Sequence, residues 1–199
     1  MTFDACPTRS GGGWDEEIVL FLKTSRTPAT FFLSGKWMQS EPAKARELAQ
    51  EALFELGNHS FSHPHLTAMV DPDIRKELEA TERLLAALGA GRAPLFRPPF
   101  GEWDTRLVGV AAQLGLTTIQ YDLASGDPDP GIDARELADY VVRQAKGGSV
   151  IVFHVNGRGW HTAEALPEIV SGLRRRGFTL VRVSDLLAGS DRAASRNRE

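Results

Sequence analysis

Cysteine is nearly absent. Cys6 stands alone among 199 residues, so no intrachain disulfide can form and a disulfide-stapled scaffold is excluded. Long apolar runs are missing as well: nothing approaches the ~20 residues a membrane-spanning helix needs. Met1 leads straight into Thr-Phe-Asp, without the basic and apolar regions of a secretory leader. The first strand is short, which leaves open a removed leader or a trimmed start. There is no cationic stripe for phosphates either. The formal net charge is −3, and the longest basic run, Arg174-Arg175-Arg176, falls near the end of a predicted helix, where it suits the dipole. A nucleic-acid partner is not expected. Internal repeats and low-complexity linkers are lacking, and 42% hydrophobic with 25% charged residues suits one domain with a sizeable core. That domain is expected over residues 1–187, with 188–199 a disordered tail.

Short apolar runs alternate with longer helical patterns, the signature of strand–helix units and a mainly parallel sheet. Strands are predicted at Thr2–Asp4, Ala29–Leu33, Glu55–Asn58, Leu95–Arg97, Thr117–Asp122, Ser149–His154 and Thr179–Arg182. Seven strands fit a barrel. Helices are predicted at Asp15–Ser25, Glu41–Leu53, Asp71–Leu88, Thr105–Leu114, Asp133–Lys146 and Thr162–Arg176. Asp71 and Asp104 are expected N-caps, and Gly89, Gly115, Gly147 and Gly177 stand where helices should stop. Asp4, Asn58-His59, Arg97, Asp122 and His154 all fall at the C-terminal ends of predicted strands, where parallel α/β barrels assemble their active sites.

The histidines are concentrated. His59, His63 and His65 are three of the five in the chain. On one helical turn, His59 and His63 at i, i+4 would project from the same face, and neutral imidazoles suit zinc, cobalt, nickel or iron. A polar loop whose histidines bond the backbone is the competing reading, and Pro64 keeps any turn brief. Asp4 can serve as a general base or as a turn residue before Pro7. In "FRPPFG" two prolines stiffen the chain after Arg97, holding a guanidinium at a strand end where it would pair with Asp4 and keep it ionised. "IVFHVNG" ends an apolar strand in His154, either an acid or a hydrogen-bonded structural histidine.

"TFDACP", "HSFSH", "FRPPFG", "YDLASGDPD" and "IVFHVNG", in this order and reaching nearly to Leu187, resemble the five motifs of the polysaccharide deacetylases, the NodB-homology domain of carbohydrate esterase family 4. The resemblance implies a distorted (β/α) barrel of about seven parallel strands and metal-assisted removal of acetyl groups from N-acetylglucosamine polymers or acetylated xylan. It also implies an extracytoplasmic or cell-envelope setting. By resemblance, Asp4 is the base that activates water, Arg97 its partner, and His59 and His63 the metal ligands, with zinc expected and cobalt or nickel possible. His154 is the acid, and the Phe100 N–H stabilises the oxyanion. Trp160, and Asn156 within the same motif, are the candidate substrate contacts; Trp14 and Trp103 are alternative sugar platforms or ordinary loop packing.

Two departures stand out. The family has a second aspartate after its base, completing an Asp-His-His metal triad, and here that position is Ala5. Cys6 is the neighbouring substitute ligand, although a buried structural thiol is its plainer role; His65, Asp15 and Glu16 are others. The aspartate that tunes the acid falls at Ala124, leaving Asp122 or Asp127 to replace it or merely to organise a turn. Besides a metal-dependent deacetylase, the sequence therefore admits an inactive carbohydrate-binding protein on the same scaffold, or a metal-free esterase using Asp4 and His154.

Overall fold

The computed structural model describes residues 1–8, 13–89 and 92–196. Seven strands, β1 (Thr2–Ala5), β2 (Ala29–Leu33), β3 (Phe54–Asn58), β4 (Arg92–Phe96), β5 (Thr117–Thr118), β6 (Leu123–Ala124) and β7 (Ile151–His154), pair in the order β5-β4-β3-β2-β1-β7-β6, all parallel. The sheet curls into a distorted barrel that is left open between its edge strands β5 and β6. Parallel pairing requires crossovers, supplied by α1 (Glu16–Thr24), α2 (Gly35–Ser40), α3 (Pro42–Gln50), α4 (Asp71–Leu88), α5 (Thr105–Gln113) and α6 (Ala134–Gln144), while α7 (Thr162–Arg175) and α8 (Val183–Arg196) follow the last strand.

The central strands β1, β2 and β3 are buried along their whole length, their polar residues Thr2, Asp4, Thr30, Glu55 and Asn58 included. Phe3 stacks on Phe31 and Phe153 at centroid distances of 5.3 and 5.5 Å, tying β1 to both its neighbours. Ala5 sits in the same apolar cluster as Phe3 and Leu33. Gly57 is required by close packing: a Cβ there would lie 2.7 Å from the Phe32 ring. Helix caps form at Asp15, Asp104 and Asp133, whose side chains accept from Ile18, Leu107 and Glu136 N–H groups. At α4 the expected cap is displaced by one residue, because Val70 is the N-cap and Asp71 lies in the first turn.

Three expectations are corrected. Thr117–Asp122 is not one strand: β5 ends at Thr118 and β6 starts at Leu123, after an irregular passage in which Gln120 bonds the Gly101 carbonyl. Thr179–Arg182 forms no strand. The run Leu180-Val181 is only half-buried and leads into α8, whose first residue, Val183, donates its N–H to Thr30 Oγ1. The segment read as a disordered tail is helical as far as Arg196, in keeping with its alanines; residues 197–199 lie outside the described residues. Helix α2 has no counterpart among the predicted helices, because six residues are too few to show a helical period.

Candidate active site

The C-terminal ends of β1, β3, β4 and β7 open into a cleft of about 220 Å³ lined by Asp4, His59, His63, Phe100, Asp127, His154 and Arg158, among others. Asp4 and His154 are register partners on adjacent strands, which sets base and acid candidates side by side. Arg97, fully buried just past β4, donates from Nη1 to Asp4 Oδ1 at 2.9 Å and to Thr2 Oγ1 at 2.7 Å. Its guanidinium lies over the Phe32 ring, 4.2 Å from the centroid. Burial works against an ionised Asp4, but Arg97, then His59 and His154, outweigh it and hold the carboxyl below its usual range.

His59 and His63 do meet, with ring centroids 4.9 Å apart. They meet through a loop and not a helical turn, since Ser60 and His63 adopt the left-handed conformation at φ 61° and 60°. The loop is pinned from α4: Glu77 accepts from the N–H groups of Phe61 and Ser62 and from the Ser62 hydroxyl, while Asn58 reaches the Leu78 carbonyl and Glu82. His59 Nδ1 donates to the Arg97 carbonyl at 2.8 Å, which leaves Nε2 with its lone pair in the cleft, 3.7 Å from Asp4 Oδ2. Burial, followed by the neighbouring His59, depresses His63 to about 3, and burial lowers His59 too, so both imidazoles are kept neutral as metal ligands must be.

The donor set stops there. Ala5 is buried in the apolar core, and the substitutes for it are engaged elsewhere. Asp15 caps α1, Glu16 faces Lys44, and exposed His65 bonds Glu102 and stacks on Phe100. The Cys6 sulfur accepts from Asn156, and burial raises its thiol pKa. Among the described residues no three His, Cys, Asp or Glu side chains are placed to hold one ion. Two imidazoles fit a metal, and the third position is a methyl group.

On the opposite wall Asp127, of the two candidate carboxylates, is the one that meets His154. Its Oδ1 lies 2.9 Å from His154 Nδ1, and its Oδ2 accepts from the His154 backbone N–H and from Thr162. Burial opposes a charged His154, but the bond and charge of Asp127, with Asp4 beyond, lift its pKa above the usual value. Asp122 plays no part here. It binds Ser149 and the Val150 N–H at the N-terminal entrance to β7, the wrong end of the strand. Phe100, at φ 60° and ψ 5°, leaves its backbone N–H without a partner among the described residues at the cleft edge. Gly101 behind it has no room for a side chain, since a Cβ would lie 2.6 Å from the Tyr121 hydroxyl.

The two expected substrate contacts part company. Trp160 is 62% exposed, its N–H anchored on the Asp127 carbonyl. Asn156 is fully buried and bonds the Cys6 carbonyl, so it braces the loop and does not face the cleft. Glu77, Tyr121 and Arg158 carried no sequence signal of their own, because each is brought in by tertiary packing from outside the motif positions that bear the chemistry.

A strand-end carboxylate held by a buried arginine, a histidine pair, and a histidine–aspartate dyad around one cleft define a hydrolase-type site on a curled parallel barrel. The family model for polysaccharide deacetylases matches residues 1–119, and the chain belongs to that family. A bifunctional xylanase/xylan deacetylase of Cellvibrio japonicus is 32% identical over 179 residues, which cover 89% of this chain and 26% of that protein. A peptidoglycan-N-acetylmuramic acid deacetylase of Bacillus subtilis is 26% identical over 178 residues, 88% of this chain and 66% of that one. The chain thus spans less than two thirds of the length of these relatives. Among solved structures, a mutant of a Bacillus anthracis CE4 family pseudoenzyme with restored enzymatic activity superposes with a TM-score of 0.83 at 27% identity, covering 94% of this chain and 65% of the other.

Proposed function

We propose that the chain is a metal-dependent hydrolase removing acetyl groups from a polysaccharide, either an N-acetylglucosamine polymer such as chitin oligosaccharide or peptidoglycan, or acetylated xylan. The observation that carries this reading is the placement of Asp4, bonded by Arg97, and His154, bonded by Asp127, as register partners lining one cleft. A divalent cation held by His59 and His63, zinc by preference for imidazole and cobalt or nickel by the same donors, would polarise the acetyl carbonyl and acidify water. Asp4 accepts the proton of the attacking water, and Arg97 keeps the carboxylate oriented. The Phe100 N–H is the donor available to the developing oxyanion. His154, its Nδ1 occupied by Asp127, delivers a proton from Nε2 to the departing amine or alcohol as acetate forms. Trp160 offers an exposed ring to a sugar face.

A second reading rests on Ala5: with one ligand replaced by a methyl group, the scaffold binds acetylated glycan without turning it over. Acetate release from N-acetylglucosamine oligomers and acetylated xylo-oligosaccharides separates the two. Release by the wild type and its loss in Asp4→Asn supports the enzyme, and glycan binding without release supports the binding protein.

A further inference from the structure

Charge is unevenly matched in the cleft. Its two lining carboxylates are each satisfied, Asp4 by Arg97 and Asp127 by His154, both at 2.9 Å. One cation remains. Arg158 lines the same cleft, exposed, and forms no ion pair with a carboxylate among the described residues. Its side chain lies within hydrogen-bonding reach of the Cys6 thiol, which burial keeps neutral, so that contact supplies no counter-charge.

The root of this side chain is fixed. Gly157 takes φ +76°, and a Cβ on Gly159 would lie 2.6 Å from Asp127 Oδ2 and 2.8 Å from the His154 carbonyl, so the loop is pressed onto the acid dyad on the C-terminal side of Arg158. Trp160 then ties its N–H to the Asp127 carbonyl. An exposed guanidinium on a pinned loop, beside the atoms that handle the leaving group, is a preorganised donor for an anion.

We propose that Arg158 recognises a carboxylate on the acetylated glycan, making the preferred substrate an acidic sugar chain and not a neutral one. The inference rests on the deacetylase reading for its substrate and deepens it. Two sugar chemistries supply such a group near an acetylated position: the lactyl ether of an N-acetylmuramic acid residue and a glucuronate side group on acetylated xylan.

The test uses four probes: a muramic-acid oligosaccharide with its free carboxylate, its methyl ester, an acetylated glucuronoxylo-oligosaccharide, and its methyl ester. Binding by calorimetry and acetate release are both measured. At least one acid should be preferred over its own ester by about tenfold, the effect of one charge-assisted bond at a partly exposed site, and which acid shows it identifies the source. Arg158→Gln should bring that acid down to the level of its ester, and Arg158→Lys should keep part of the preference. Equal binding of acids and esters by the wild type, binding of none of the four, or an equal loss on acid and ester in Arg158→Gln overturns the proposal. Preferential binding without acetate release refutes the deacetylase reading alone.

Discussion

Asp127 grips His154 twice, through the ring Nδ1 at 2.9 Å and the backbone N–H at 2.7 Å, so one carboxylate sets both the orientation and the charge of the candidate acid. Asp127→Asn keeps the shape and removes the charge. Turnover should fall by about ten- to a hundredfold, part of the ~10²–10⁴ that a positioned acid contributes. The alkaline limb of the kcat/KM profile should move to lower pH. An unmoved limb would mean that a different group supplies the proton.

The wild-type pH dependence follows from two opposite shifts. Asp4, held below its reference value of 3.8, stays ionised until well into acid, so activity falls there only as the base takes a proton. His154, held above its reference value of 6.5, stays protonated further up, and activity falls as pH rises through its folded pKa. Stability is linked in the same sense. The His154 contribution is complete below 6.5 and lost as pH rises through the raised folded value; the Asp4 contribution is present above 3.8 and lost as pH falls through the lowered one. A bell-shaped profile alongside thermal unfolding across pH checks both. Activity still rising at alkaline pH contradicts the assignment of His154.

His154→Ala separates enzyme from binding protein. Asp127 would keep the Thr162 hydroxyl and the backbone N–H as donors, so the melting temperature should change little. Acetate release should drop by about 10²–10⁴. A variant with full glycan affinity and a wild type with no turnover would support the binding-only reading.

Ala5→Asp asks whether the missing carboxylate limits metal affinity. Restoring it should tighten zinc binding at least tenfold, about 1.4 kcal/mol. Because residue 5 is buried among apolar side chains, the same change should destabilise the chelated protein, with metal restoring the loss. No tightening in zinc titrations would mean that the pocket has been rebuilt around another ligand.

Most of this site was legible because its chemistry sits on strand ends. Asp4, Arg97 and His154 end or follow runs whose apolar character marks them as buried strands, and their order in the chain matches their placement in the sheet. What was not legible depends on how loops are held. The approach of His59 to His63 relies on two left-handed residues and on Glu77 from a helix about fifteen residues away. Asp122 and Asp127 are equally plausible from sequence, and only the break between β5 and β6 sends one to the dyad and the other to the far end of β7. Asn156 looked available beside the acid and is buried, because its amide is needed by the Cys6 carbonyl.

The central claim is that two histidines without a third family ligand still support metal-dependent hydrolysis. Metal content of the purified, unchelated protein, measured together with acetate release from an acetylated glycan before chelation, after it and after zinc add-back, tests that claim most directly. Near-stoichiometric metal, with activity that disappears on chelation and returns with zinc, is the predicted result. Acetate release that is indifferent to chelation, or metal-free protein that binds glycan without releasing acetate, would contradict it.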